Sequence, residues 1–148
     1  MTNELLVYIF ENNHRVFHLN TEGITHAESL KTYETGSSCM NWIVGHITVT
    51  RDRALDLLGK AKLQTEEMTE KYKRGSPNIT ADIALPFDTL SSLYDQSQEK
   101  LCEAIRSYDF SIDPELAKRI QFFGFHEAYH CGQLGLLRRI VGKEGAIK

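Results

Sequence analysis

The segment FHEAYHCGQLGLLRRIVG, residues 125–142, places His126 and His130 four residues apart with Glu127 between them. On a helix that spacing brings two imidazoles onto one face, where they can share a metal ion. The same His-Glu-x-x-His pattern serves zinc peptidases, in which the glutamate activates a metal-bound water and a third ligand follows downstream. Here the downstream positions that would carry a glycine and a histidine are Gln133 and Leu136. Eighteen residues follow His130, which leaves no room for a further packed helix bearing a glutamate, and no strand pattern offers an edge for an extended peptide. The expectation is therefore against a peptidase; another metal protein and a helix with two satisfied core histidines stay open.

Helical geometry decides where these side chains point. At about 100° per residue, His130 lies about 40° from His126 and Gln133 about 20° to its other side. Phe122, Phe123, Leu137 and Val141 fall within about 60° of the same direction, so the pair belongs to a buried stripe. On an earlier helix His46 shares its face with Cys39, Trp42, Ile43, Val49, Thr50, Arg53 and Leu57, while Asn41, Thr48 and Asp52 take the opposite side. A buried imidazole needs a partner on both nitrogens or a metal on one of them. Three neutral imidazoles suit zinc or nickel and leave a coordination position open. Around them, Gln133 is placed to orient a histidine or a metal-bound water, and Glu127 to stand beside the site or on its flank. Arg53 would meet an anionic ligand or form a salt bridge at the edge of the core, and Asn13 faces the interior from the first helix. Trp42 and Phe122 read as core. A further pair, His14 and His18, points away from the apolar stripe of its helix and reads as surface; His26 sits in a turn and receives no role.

The elements that must position these groups are helical nearly throughout. A first helix covers about 3–19, with Leu5, Leu6, Ile9, Val16 and Phe17 on one face. Thr25-x-x-Glu28 can form a capping box for a short turn. The second helix spans about 39–58, the third lies within 80–107 with an uncertain start around Pro86, and the fourth opens on the cap Asp113-Pro114 and runs to Val141. Residues 60–79 have no strong period and read as a long connection. Four amphipathic helices in 148 residues predict an all-α, single-domain four-helix bundle over residues 1–148. A net charge of −3 without a basic run gives no footprint for nucleic acid. No apolar run is long enough for a membrane span, and the N-terminus lacks a cationic leader region. Cys39, Cys102 and Cys131, odd in number and irregularly spaced, fit reduced thiols in a cytoplasmic protein.

The segments NWIVGHI (41–47), KRGSP (73–77) and HEAYHCGQLGLLRRIVG (126–142) together resemble the DinB-like superfamily of metal-binding four-helix bundles, which includes YfiT-type proteins and thiol-dependent S-transferases. The resemblance implies one divalent ion, nickel or zinc, on His46, His126 and His130. It also implies up-down-down-up topology, with residues 60–79 crossing between the second and third helices, and a homodimer. Its members with known reactions act with a low-molecular-weight thiol (bacillithiol, mycothiol or glutathione) on an electrophile. Three expectations follow: a metal-dependent S-transferase, a non-catalytic metal-binding or stress-related protein, and a metal-free structural bundle.

Overall fold

The structure is a computed structural model that describes residues 2–34 and 36–147; residues 1 and 148, the ends of the expected domain, lie outside the described residues. It is all-helical among the described residues. The helices are α1 (Thr2–Thr21), α2 (His26–Ser29), α3 (Met40–Leu57), α4 (Glu66–Tyr72), α5 (Phe87–Ser107) and α6 (Pro114–Ile140). Among the described residues no helix is long and apolar enough to cross a membrane.

Local chemistry sets the helix ends. Thr25 and Glu28 close a reciprocal capping box on α2: the Thr25 amide donates to Glu28 Oε2 (2.8 Å) and the Glu28 amide to Thr25 Oγ1 (3.2 Å). Asp113 Oδ1 accepts from the Leu116 amide (3.0 Å), and Pro114 fits the first turn, where its missing N–H costs nothing. The third long helix starts at Phe87, because Pro86 holds the extended conformation immediately before it. Thr80 closes only an isolated turn, its carbonyl accepting from the Ala84 amide. The long connection over residues 60–79 contains α4, capped by Thr65 Oγ1 on the Met68 amide (3.2 Å).

The four long helices pack in a cycle: α1 against α5 and α6, and α3 against the same two. Glu11 and His18 of α1 meet Arg106 and Asp95 of α5, whereas Asn13 and Asn20 of α1 reach the carbonyls of Gly124 and Cys131 on α6. Two apolar clusters fill the interior, one around Phe17, Val44, Leu90, Tyr94 and Leu134, the other around Phe10, Ala54, Leu101, Ile105 and Ile120. Burying these side chains supplies the main drive for folding.

Three sequence expectations fail here. Asn41, Thr48 and Asp52 do not face solvent; α3 is buried on almost every side, because α4 and its flanking chain cover the back of it. The carboxylate of Asp52 accepts from the Leu63 and Gln64 amides (3.0 and 2.7 Å), and Asn41 bonds both the Leu85 carbonyl and the Tyr72 hydroxyl. Leu5 and Phe122, placed in the core by periodicity, are exposed. Arg53 also lies at the surface rather than inside.

Candidate metal centre

His46 on α3 and His126 and His130 on α6 converge edge to edge. His126 Nε2 lies 3.3 Å from His46 Nε2 and 3.1 Å from His130 Nε2. One ligand atom from each residue falls within 4.8 Å of the others. Two nitrogens bound to one tetrahedral ion at about 2.0–2.1 Å stand about 3.3–3.4 Å apart, so the spacing matches a shared cation.

The outer nitrogens fix the tautomers. His46 Nδ1 lies 3.0 Å from the Tyr72 carbonyl, and a carbonyl only accepts, so Nδ1 carries the proton and Nε2 offers a lone pair. His130 Nδ1 lies 2.7 Å from Gln133 Oε1, which sets the same state. His126 Nε2 therefore faces two lone pairs, and one N–H cannot serve both well. His126 Nδ1 is buried with no hydrogen-bond partner among the described residues. A protein-only network leaves this cluster under-satisfied. A cation at the centre uses all three lone pairs. The residues present fit a divalent metal ion.

Burial favours the neutral form that metal binding needs. Desolvation pushes all three imidazoles below their ordinary pKa; for His46 the positive charges of His130, Arg53 and Arg74 add to it, against the Tyr72 bond. For His130 the Gln133 bond opposes desolvation without overcoming it. For His126 desolvation leads and His46 adds to it, while nearby Glu127 pulls the other way.

The motif Trp42-x-x-Gly45-His46 has a physical basis. Trp42 stacks on the His46 ring (centroids 4.6 Å apart, planes at 9°) and is tied to the 73–77 loop by Nε1–H donation to Ser76 Oγ (2.9 Å). Its role is beside the imidazole, not in the core alone. Gly45 seats Tyr72: a Cβ there would lie 2.2 Å from the Tyr72 ring, so only glycine lets that residue approach and present its carbonyl to His46.

Glu127 points elsewhere. Its carboxylate takes a two-pronged contact from Arg51 (Nε to Oε2 2.7 Å, Nη2 to Oε1 2.9 Å) and a hydrogen bond from the Tyr94 hydroxyl (3.0 Å). Arg51 completes its donors with the Tyr94 carbonyl, Ser97 and Gln98, and its guanidinium sits 3.7 Å from the centre of the Tyr94 ring. Both charged side chains are almost fully buried. Burial is the largest single influence and opposes the Arg51 charge, but the charge and hydrogen bond of Glu127 together with Tyr94 and Cys102 outweigh it and raise the guanidinium's pKa. So engaged, Glu127 is not free to act as a base on a metal-bound water.

The remaining candidates separate. Gln133 touches His130. Asn13 is buried but spans α1 and α6, donating to the Gly124 carbonyl (2.8 Å) where Ile9 leaves no room for a Cβ on residue 124. Arg53 is exposed and reaches the imidazoles only through its charge. Cys39, Cys102 and Cys131 are free and buried, and burial raises each thiol, that of Cys131 to about 12. Sequence reasoning missed Tyr72 and Arg51. A glutamate inside a buried helix demands a cation, and that demand was the one available signal for Arg51.

No family model matches the chain, and no curated protein matches it significantly.

Proposed function

We propose that this chain is a divalent-metal-binding four-helix bundle of the DinB-like kind, with one nickel or zinc ion on His46, His126 and His130, acting as an S-transferase with a low-molecular-weight thiol. The convergence of three imidazole Nε2 atoms carries the reading. Bound there, the ion supplies positive charge that favours the thiolate form of a thiol sharing it. The protein holds the imidazoles neutral by burial, directs their lone pairs inward through the Tyr72 carbonyl and Gln133, and shields one ring with Trp42. Arg53 and Arg74 add a positive field suited to an anionic thiol.

The topology in this reading is up-down-down-up. Rising residue numbers on α1 meet falling ones on α5 (Glu11 with Arg106, His18 with Asp95) and rising ones on α6 (Asn13 with Gly124, Asn20 with Cys131). Along α3 and along the chain from Leu85 into α5 they rise together, Asn41 near Leu85 and Arg51 near Tyr94 and Ser97. The working form is a homodimer built on an exposed apolar stripe of α6. Phe122, Phe125, Tyr129, Leu136 and Ile140 are all exposed within a sector of about 60°, with Leu5 and Tyr8 exposed on the adjoining α1. Three free thiols suit a reducing, cytoplasmic setting.

One observation favours a second reading, a non-catalytic metal-binding protein. The carboxylate next to the histidines, that of Glu127, is fully engaged by Arg51 and the Tyr94 hydroxyl and offers no base at the site. Metal analysis of the purified protein beside His46→Ala and His130→Ala, followed by thiol-dependent consumption of a chromogenic electrophile, separates the readings. Metal in the wild type alone, with turnover that needs both metal and thiol, supports the transferase. Metal without turnover on bacillithiol, mycothiol or glutathione supports the second reading, and equal metal content in all three proteins ends both. Gln133→Leu should keep the fold and weaken metal binding by about 10–100-fold.

A further inference from the structure

A second set of donors stands outside the three-histidine centre, between α1 and α5. His14 Nε2 and His18 Nε2 lie 2.8 and 2.7 Å from Asp95 Oδ1 and 3.2 Å from each other. The i, i+4 spacing puts both rings on one face of α1, and the neighbouring helix supplies the carboxylate. Core aromatics hold the rings from behind. His14 stacks on Tyr94 (centroids 5.6 Å apart, planes at 21°), and His18 meets Phe17 edge-on at 5.2 Å. Phe17 and Tyr94 are themselves fully buried. The two imidazoles are thus set in place before any ligand arrives.

A plain surface ion pair accounts for this arrangement poorly. It requires two N–H groups to crowd a single carboxylate oxygen while their nitrogens stand 3.2 Å apart. A cation in place of the protons satisfies two imidazole lone pairs and one carboxylate oxygen together. The separations of 2.7–3.2 Å need only a small outward shift to reach the roughly 3.3 Å between ligands of one tetrahedral ion. All three side chains are partly exposed and free to make it. The cluster borders a groove of about 790 Å³ whose lining also includes Glu22, Asp88 and Ser91, which gives water or a small ligand access to the remaining positions.

We propose that His14, His18 and Asp95 form a second divalent transition-metal site, with zinc as its most suitable ion. Two imidazoles and a carboxylate fit zinc, nickel or cobalt and are a poor match for calcium or magnesium, which favour oxygen. Exposure makes the site weaker and faster-exchanging than the buried one. Nothing in it depends on the three-histidine centre being occupied.

Equilibrium dialysis against buffered free zinc tests the proposal with the full chain. The variants are His14→Gln/His18→Gln, Asp95→Asn and His46→Gln/His130→Gln. The wild type is expected to take up a second equivalent that the His14→Gln/His18→Gln protein loses while keeping its first. Asp95→Asn should weaken that second equivalent by at least about tenfold, since removing a ligand costs no less than removing a group that supports one. A wild type with a single zinc that survives His46→Gln/His130→Gln and disappears in His14→Gln/His18→Gln supports this site and removes the buried one. Zinc uptake by His14→Gln/His18→Gln equal to that of the wild type, at one equivalent or two, overturns the proposal.

Discussion

The Tyr72 carbonyl accepts the Nδ1 proton of His46 at 3.0 Å, and the Tyr72 ring occupies the space that a side chain on the preceding Gly45 would need. A glycine thus sets the proton position on an imidazole through a third residue. Gly45→Ala should displace α4 from α3 and cost about 1–3 kcal/mol of stability, the usual range for overpacking a filled interior. Helix propensity works the other way, since alanine is the better helix former by about 1 kcal/mol, so a net loss identifies the steric effect. Thermal unfolding and zinc titration check it together, with metal affinity expected to fall alongside stability.

The Arg51–Glu127 pair should behave asymmetrically. Glu127→Leu alone strands a buried guanidinium and is expected to cost about 3–5 kcal/mol in urea unfolding. The double variant Arg51→Met/Glu127→Leu removes both charges and should recover most of that loss. A peptidase-type role for Glu127 would instead show as lost activity in Glu127→Gln without lost stability.

Stability of the chelator-treated protein should depend on acid in a defined direction. Desolvation lowers the pKa of His46, His126 and His130 in the folded state from the ordinary value of 6.5. The unfolded chain then binds more protons as pH drops, so stability is complete above about pH 6.5 and declines as the pH falls towards the lowered values. Denaturant midpoints measured from pH 8 to 5 check the slope. His46→Gln should flatten it.

The apolar stripe of α6 offers a test of assembly. Phe125 and Tyr129 lie at its middle, both more than half exposed. Phe125→Glu/Tyr129→Glu should convert a dimer into a monomer in sedimentation analysis while leaving helix content unchanged. A wild type that is already monomeric at high concentration refutes the dimer directly.

Much of this molecule is readable from residue order. The i, i+4 pair at His126 and His130 and the inward face of His46 follow from helical angles, and all three meet in the structure. The cap at Asp113 and the box at Thr25 and Glu28 are equally local and equally visible. Periodicity failed where a helix has more than one packed side. Residue order alone cannot reveal that α4 returns across the back of α3, so Asn41, Thr48 and Asp52 read as solvent-facing. It failed again at Phe122, because an apolar residue kept at the surface has the same hydrophobic signature as one inside. Tyr72 was beyond reach for another reason: its contribution to His46 is a backbone carbonyl, which carries no side-chain signal.

Trp42 is the protein's one tryptophan, and its indole lies flat on the ring of His46. The chain therefore contains its own optical reporter. Nickel or copper arriving at the buried centre should quench the emission of this indole, whereas closed-shell zinc should leave most of it intact. Occupancy of that centre can be followed by fluorescence, without a label and separately from loading on the surface between α1 and α5.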